Sequence, residues 1–84
     1  MPEITIYTKE QCPYCTNAKQ LLKAKGYPFQ EINLGEHPEL LHDVIARSGQ
    51  RTVPQIFVGE VSVGGFTDLL KKTSNGQFEA LIQE

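Results

Sequence analysis

Two cysteines, Cys12 and Cys15, lie where a strand-like run gives way to a helix-like stretch, and the chain has no other cysteine. Residues 4–7 alternate isoleucine with threonine and tyrosine, which is typical of a strand. Pro13 suits the first turn of a helix, because an N–H at that position would have no intrahelical partner in any case. Two thiols this close at a strand-to-helix junction predict a reversible disulfide.

The length and charge of the chain limit what else it can be. Its 84 residues suffice for one small domain, residues 1–84, with a modest hydrophobic core. The net charge is −2 and no block of like charge occurs, so we expect no nucleic-acid surface. The start does not resemble a signal peptide and no apolar run is long enough to cross a membrane, which predicts a cytoplasmic protein. In that compartment a close cysteine pair is usually catalytic or metal-binding.

Glycine and proline divide the rest of the chain into short elements. The patterns predict strands at 3–8, 29–34, 55–58 and 61–63, with a type II′ turn at Gly59 between the last two. They predict helices from Pro13 to residue 25, from Pro38 to Gly49, from Thr67 or Asp68 through residue 71, and over residues 78–82. The order β-α-β-α-β-β-α predicts an α/β fold in which a four-stranded mixed sheet carries helices on both faces.

The two cysteines differ in their predicted surroundings. Cys15 shares an apolar helical stripe with Ala18 and Leu22, so its side chain should be buried. Cys12 precedes that stripe and should be more exposed, at a helix N-terminus whose free N–H groups and dipole favour a thiolate. Lys9 adds positive charge nearby. We therefore predict that Cys12 is the nucleophile and Cys15 the resolving thiol.

A structural zinc site is the less favoured alternative for the cysteine pair. The chain reads C-x2-C, then 21 residues, then H-x4-H with His37 and His42. That spacer is longer than the usual one of roughly 12–15 residues. His37 falls at a predicted helix cap and His42 on a helix flank, where histidines are ordinary surface residues. We expect no metal.

Two further segments carry chemistry only in combination with the first. Proline at the start of a strand is tolerated because no ladder N–H is needed there, and Pro54 ends the segment Arg51-Thr52-Val53-Pro54. The segment Gly64 to Asp68 brings two glycines to a predicted helix start, whose N–H groups suit a carboxylate, while Asp68 suits a cationic amino group. Alone, each segment is an ordinary strand start or a turn with a helix cap.

Taken together, the three segments resemble a dithiol glutaredoxin of the small bacterial type. The resemblance covers nearly the whole chain in order: Tyr7-Thr8-Lys9 and Cys12-Pro13-Tyr14-Cys15, then Thr52-Val53-Pro54-Gln55-Ile56-Phe57, then Gly64-Gly65 and Asp68. It implies a thioredoxin-like fold with a cis Pro54 beside the cysteine pair. It also implies an enzyme, a glutathione-disulfide oxidoreductase that reduces protein disulfides and glutathione mixed disulfides in electron transport and redox homeostasis, with glutathione as its reducing co-substrate.

The resemblance also implies roles for individual residues. Cys12 would attack and Cys15 would resolve. The implied glutathione contacts are Lys9, Tyr14, Arg51, Thr52, Val53, Pro54, Gly65, Phe66, Thr67 and Asp68. Lys9 and Arg51 would meet the glycyl carboxylate, the Val53 backbone would pair with the cysteinyl unit, and the turn ending at Asp68 would hold the γ-glutamyl end. Related chains usually have small or polar residues where this one has Phe66 and Thr67.

The expected partners are glutathione and disulfide-bonded or glutathionylated proteins, with ribonucleotide reductase as one candidate. We expect the protein to be a monomer that binds neither nucleic acid nor a membrane. A redoxin reduced by thioredoxin reductase is the nearest alternative, and Pro13-Tyr14 between the cysteines argues for glutathione instead. A thioredoxin is disfavoured because the chain has no tryptophan. A dimer bridging a [2Fe–2S] cluster through Cys12 and glutathione is a minor alternative.

Overall fold

The computed structural model describes residues 2–83 and contains four strands and four α-helices in that part of the chain. The strands are β1 (Ile4–Thr8), β2 (Gln30–Asn33), β3 (Gln55–Val58) and β4 (Val61–Gly64). The helices are α1 (Pro13–Ala24), α2 (Leu41–Ser48), α3 (Phe66–Ser74) and α4 (Gln77–Ile82), and a short 3-10 helix, Pro38–Leu40, leads into α2. The strand order is β2-β1-β3-β4, with β1 and β2 parallel and the other pairs antiparallel. The predicted α/β fold with a four-stranded mixed sheet is confirmed.

Helices cover both faces of the sheet, as predicted, because β1 and β3 alternate their apolar side chains between two cores. Ile4, Ile6, Ile56 and Val58 point to one face and pack with residues of α1, α3 and α4. On the other face, Tyr7 and Phe57 pack against α2 through Val44. Each fully buried aliphatic side chain stabilises the fold by about 1.5–3 kcal/mol, so both faces contribute. No helix among residues 2–83 combines the length and apolarity that crossing a membrane requires.

Arg47 fastens α2 to the sheet. Its Nη2 donates to the Tyr7 hydroxyl at 3.0 Å, and its guanidinium carbon lies 4.5 Å from the centre of the Phe57 ring. Its Nε donates to Asp43 at 2.9 Å, one helical turn earlier. The hydrogen bond to Tyr7 is the main reason that the pKa of Arg47 is raised. Arg47 therefore covers the edge of the aromatic core on this face and links α2 to the sheet.

Two helix starts differ from the prediction. The prediction that Thr67 or Asp68 opens α3 is wrong, because the helix begins at Phe66 and Gly65 is its extended N-cap. Asp68 is the third helical residue instead, and its Oδ2 accepts from the Gly65 N–H at 3.1 Å. Glycine has no side chain to donate or accept, so only this half of a capping box forms. The turn that begins at Pro38 is 3-10 rather than α-helical.

The register of the sheet brings the three unusual segments to one end. Tyr7 pairs with Gln55, so the end of β1 lies beside the start of β3, and Ile56 pairs with Gly64 at the end of β4. The opposite end holds the two-residue turn after Val58, where Gly59 has the predicted positive φ of 58°. The loop before α1, the segment before β3 and the turn before α3 therefore converge.

Candidate functional site

The cysteine pair lies at the N-terminus of α1 and is joined by a disulfide. Cys12 is the extended N-cap residue, and its Sγ accepts from the Cys15 backbone N–H at 3.1 Å. Pro13 follows as the first helical residue. Just before the pair, Gln11 has a φ of 56°, a left-handed conformation that non-glycine residues seldom adopt. The chain thus turns sharply to place Cys12 at the end of the helix.

The two sulfur atoms differ in exposure as predicted. Cys15 is only 2% exposed, on the buried stripe with Ala18 and Leu22, whereas Cys12 is half-buried. An incoming disulfide therefore has access to Cys12 first. The Cys15 N–H is fixed by the helix and points at the Cys12 sulfur, so it can also stabilise negative charge there once the disulfide opens. The geometry favours Cys12 as the attacking thiolate and the buried Cys15 as the resolving thiol.

The segment before β3 passes directly beside Cys12. The Val53–Pro54 peptide bond is cis, as the resemblance implied, and Pro54 is buried. The Val53 carbonyl oxygen lies 3.8 Å from the Cys12 sulfur. Val53 thus brings main chain to the edge of the redox centre, where a peptide-like ligand can hydrogen-bond to it.

The N-terminus of α3 forms the far side of the same site. Gly64 has a φ of 113° and turns the chain out of β4, and Gly65 lies in contact range of the Pro54 carbonyl oxygen, 3.5 Å from where a Cβ would stand. The next residues, Phe66 and Thr67, present the first turn of a nine-residue helix. Its unpaired N–H groups and positive dipole end suit an anionic group.

A groove of about 320 Å³ runs between these two segments. It is lined on one side by the segment before β3 and on the other by the start of α3, with Tyr14 at its margin; the lining residues are Tyr14, Gln50, Thr52, Val53, Pro54, Gly65, Phe66, Thr67 and Asp68. The structure therefore brings most of the predicted contact residues together. Arg51 is exposed and Lys9 lies elsewhere, and neither is among the lining residues of this groove.

Two aromatic rings form a wall at the margin of the groove. Tyr14 and Phe66 stack with ring centres 5.9 Å apart and an angle of 26° between the planes. Phe66 is half-buried and packs against the core beneath α1 and α3, while Tyr14 is 62% exposed. The anchored ring thus holds the exposed one beside the cysteine pair, and such stacking contributes about 0.5–1.5 kcal/mol beyond area burial.

Lys9 lies on the other side of the disulfide, in a second and more polar groove of about 580 Å³ that also includes both cysteines. Lys19 and Glu31 form an ion pair there at 3.1 Å, and the Thr8 hydroxyl donates to Glu31 at 2.8 Å. Partial burial acts to raise the pKa of Glu31, but the hydrogen bonds from Thr8 and Lys19 outweigh it, so this pKa is lowered. The redox centre therefore separates an aromatic groove from a charged one.

Gln50, which lines the groove, and Gln55, which supports it, are residues that the sequence interpretation did not assign to the site. Gln50 lines the groove, and Gln55, with 0% exposure, lies behind it as the first residue of β3. The Gln55 Nε2 donates to Gln50 Oε1 at 2.9 Å and to the Thr52 carbonyl oxygen at 2.9 Å. The only available signal was an amide in an otherwise apolar strand, and such a residue is equally compatible with an exposed strand end.

The two histidines lie apart from the cysteine pair. His37 precedes the 3-10 turn and its Nδ1 lies 3.4 Å from Glu39 Oε2, and His42 is exposed in α2. Within residues 2–83, no three or more histidine, cysteine, aspartate or glutamate side chains are grouped so that they could hold a metal ion.

Comparison with known proteins gives one consistent family. The family model described as Glutaredoxin matches residues 4–63. The chain is 48% identical over 82 residues to a glutaredoxin of Pseudomonas aeruginosa, covering 98% of both chains, and 42% identical over 83 residues to glutaredoxin 3 of Escherichia coli K12, covering 99% of this chain and 100% of that one.

Solved structures agree with the sequence relatives. The solution structure of a glutaredoxin from Brucella melitensis has a TM-score of 0.82 and 46% identity, and the match covers 96% of this chain and 88% of that one. A buckwheat glutaredoxin–glutathione complex has a TM-score of 0.87 and 26% identity, with 98% and 77% covered. These neighbours carry the thioredoxin fold that the resemblance implied.

Proposed function

This chain belongs to the glutaredoxin family of thiol–disulfide oxidoreductases, and we propose on that premise that glutathione is its reductant and that its substrates are protein disulfides and glutathione mixed disulfides. One observation carries the proposal. A groove beside the accessible Cys12 sulfur has the main chain of Val53 on one side and the helix N-terminus at Phe66 on the other. A tripeptide with one thiol and a carboxylate at each end matches these features.

The proposed binding mode uses each side of the groove differently. The cysteinyl unit of glutathione pairs with the Val53 backbone, which directs its sulfur at Cys12. The γ-glutamyl carboxylate accepts from the first N–H groups of α3 around Thr67, and its amino group faces Asp68. Tyr14 and the ring stacked on it cover the tripeptide. Lys9 lines the second groove and not the first, so it contributes long-range positive charge rather than a direct contact within the glutathione groove.

In the first proposed reaction, the Cys12 thiolate attacks the glutathionyl sulfur of a mixed disulfide. The substrate sulfur leaves with the bonding electron pair and takes a proton, while glutathione remains on Cys12 as a new disulfide. The thiolate of a second glutathione then attacks that glutathionyl sulfur, forming glutathione disulfide and restoring the Cys12 thiolate. The rate follows the thiolate fraction of the attacking group and the pKa of the leaving thiol. Cys15 takes no part.

In the second proposed reaction, Cys12 attacks a protein disulfide and forms a mixed disulfide with the substrate. Cys15 then attacks the Cys12 sulfur, which releases the reduced substrate and closes the intramolecular disulfide. The geometry suits this step, because the two residues lie on one helical turn and their sulfurs already form that bond. Two glutathione molecules supply the two electrons that reopen it.

A coupled assay with NADPH tests the reductant. The purified protein should reduce a mixed disulfide of glutathione and a small thiol when glutathione and glutathione reductase are supplied. It should not turn over when thioredoxin reductase replaces both. Turnover with thioredoxin reductase alone would keep the fold and the cysteine roles but discard glutathione as the reductant.

Cys15→Ser separates the two reactions. We expect it to keep the reduction of glutathione mixed disulfides and to lose the reduction of protein disulfides, whereas Cys12→Ser abolishes both. Both rates are measured by the same NADPH assay, with a mixed disulfide and then a protein disulfide as substrate. Loss of both activities in Cys15→Ser would refute the first reaction.

We further propose that the protein acts in the cytoplasm as a monomer, where the glutathione pool is reducing enough to drive it. Ribonucleotide reductase is one candidate protein substrate. Reduction of its oxidised form by this protein and glutathione, followed by the appearance of free thiols, would test that substrate directly.

A further inference from the structure

The second groove, of about 580 Å³, is the open space beside the buried thiol. Cys12 and Cys15 both line it, whereas neither is among the lining residues of the aromatic groove. Cys15 is only 2% exposed, so the groups along this groove form its polar surroundings. A disulfide carries no charge but a reduced pair can, so charges along the groove act on Cys15 once the disulfide opens.

Lys19 is the cation that helix geometry places next to Cys15. It lies four residues later in α1, and side chains one helical turn apart have Cβ atoms about 5–6 Å from each other. Within residues 2–83, the other charged groups that line the groove are Lys9 and Glu10 of the exposed loop before α1 and Glu31 of β2. A cation at this distance favours the thiolate form of a cysteine.

Glu31 binds that cation with both of its carboxylate oxygens. The Lys19 Nζ lies 3.1 Å from one oxygen and 3.2 Å from the other. The hydroxyl of the buried Thr8 donates to the same carboxylate at 2.8 Å and fixes it to the end of β1. The side chains of Lys19 and Glu31 are 29% and 37% exposed, so salt screens the pair only in part. An anchored carboxylate therefore compensates the positive charge of Lys19.

We propose that Glu31 balances the charge of Lys19 and thereby limits the thiolate form of Cys15 in the reduced protein. This inference deepens the proposed function and rests on the resolving role assigned there to Cys15. In the resolving step, the Cys15 thiol releases its proton to water in the groove. The thiolate attacks the Cys12 sulfur, and the outgoing sulfur leaves with the bonding electron pair. Glu31 is thus a positioning residue that favours the first reaction, which does not use Cys15, over the second.

Titration of Cys15 alone tests the proposal. In a Cys12→Ser background Cys15 is the only cysteine of the chain, and its thiolate is followed by ultraviolet absorbance as the pH rises. Glu31→Gln frees the charge of Lys19 and should lower the pKa of Cys15. The thiolate fraction at neutral pH should rise about threefold, the effect of one unit charge about 6 Å away at nearly the dielectric constant of water. Lys19→Met leaves Glu31 unpaired and should lower that fraction about threefold.

The opposite signs distinguish an effect of charge from structural damage. Loosening of α1 would shift the pKa of Cys15 in one direction in both variants, so a common direction, or no shift in either, would overturn the proposal. The double variant Lys19→Met/Glu31→Gln lacks both charges and should titrate near the Cys12→Ser parent.

Lys23→Met is the matched control. It removes an exposed cation of α1 that also acts on Glu31 but lies two helical turns beyond Cys15. The titration of Cys15 should stay close to that of the parent. A shift as large as that of Lys19→Met would show that the charge of the whole helix acts on Cys15, and it would overturn the role of the pair.

The rate of disulfide closure shows whether the charge balance acts on the resolving step. Reduced protein with both cysteines is mixed with glutathione disulfide and quenched with acid, and conversion of the Cys12 adduct to the intramolecular disulfide is read by intact mass. A thiolate of lower pKa is also a weaker nucleophile, so closure should be only about twofold faster in Glu31→Gln and about twofold slower in Lys19→Met. Equal closure rates would overturn the role in resolution. So would a Cys12 titration, in Cys15→Ser, that shifts as much as that of Cys15.

Failure of this inference is distinguishable from failure of the proposed function, because the titration uses no glutathione. If the NADPH assay shows glutathione-dependent turnover but the two variants do not shift the Cys15 titration in opposite directions, only this inference fails. If turnover occurs with thioredoxin reductase alone while the titrations shift as expected, glutathione is not the reductant and the role of Glu31 stands.

Discussion

Gly64→Ala should lower stability and weaken glutathione binding at the proposed γ-glutamyl end of the groove. Gly64 has a φ of 113°, which L-residues rarely adopt, and the backbone alone makes alanine unfavourable there by about 1–2 kcal/mol. A Cβ at this position would overlap the Asp68 carboxylate, with the Asp68 Cγ at 2.8 Å and its Cβ at 2.9 Å. Asp68 would have to move, and the hydrogen bond that its Oδ2 accepts from the Gly65 N–H would be lost.

The displaced carboxylate adds a second term to the stability loss. A backbone N–H left unsatisfied at the partly buried start of α3 costs about 1–3 kcal/mol. The two terms together predict a loss of about 3 kcal/mol in the free energy of unfolding, a large fraction of the roughly 5–15 kcal/mol that small domains possess. Because the Asp68 carboxylate also lines the groove, its displacement should raise the KM for glutathione.

Gly49→Ala is the matched control. Gly49 has a φ of 73° at the end of α2, and a Cβ there would meet nothing within 4 Å. It therefore carries the backbone penalty without the overlap, about 1–2 kcal/mol, and should leave the KM unchanged. Urea unfolding at pH 7 and glutathione-dependent kinetics measure both variants. If Gly64→Ala is no more destabilising than Gly49→Ala and binds glutathione equally well, the overlap with Asp68 does not govern this turn.

Three further substitutions test other contacts. Glu31→Gln should lower the free energy of unfolding by about 0.5 kcal/mol at neutral pH, discounted for solvent screening. Because the Glu31 pKa is lowered on folding, this difference should be complete above the ordinary pKa of the group and should shrink as acid titrates the folded carboxylate; a difference in urea unfolding that stays constant on acidification would contradict this origin. Phe66→Ser should raise the KM for glutathione about 2- to 10-fold by freeing Tyr14, whereas Phe66→Tyr should keep it near the parent value; unchanged kinetics in Phe66→Ser would remove the ring from the site. Arg47→Met should cost about 1–2 kcal/mol in unfolding experiments without changing the KM, and a raised KM would show that α2 influences the groove.

Local patterns in the sequence were enough to predict the redox centre. The burial of Cys15 and the exposure of Cys12 follow from where each falls on the stripe of α1, which depends only on nearby residues. The sheet was predictable for the same reason, because apolar alternation marked each strand before its partner was known. The start of α3 was not, since Gly65 has no side chain to signal an N-cap and Thr67 offered a stronger local signal.

The remaining features depend on contacts that no local pattern encodes. Gln55 is polar, yet it is fully buried at the start of β3, where it pairs with Tyr7 of β1, a partner 48 residues earlier that its own segment does not reveal. The stack of Phe66 on Tyr14 joins residues far apart in sequence, and Phe66 looked from sequence like a departure rather than an anchor. Lys9 lines the second groove and not the first, and the left-handed conformation of Gln11 lies in the short segment between Lys9 and Cys12.

The turn at Gly59 has a practical consequence for attaching other molecules. Its N–H donates to the Glu3 carbonyl oxygen at 2.7 Å, so the start of β1 is pinned to the hairpin at the end of the sheet away from the cysteines. A fluorescent protein or a surface linker joined ahead of Pro2 would therefore extend away from Cys12 and leave both grooves open. The amino-terminal side is therefore the suitable attachment point for a redox biosensor, because the groove then faces the solution.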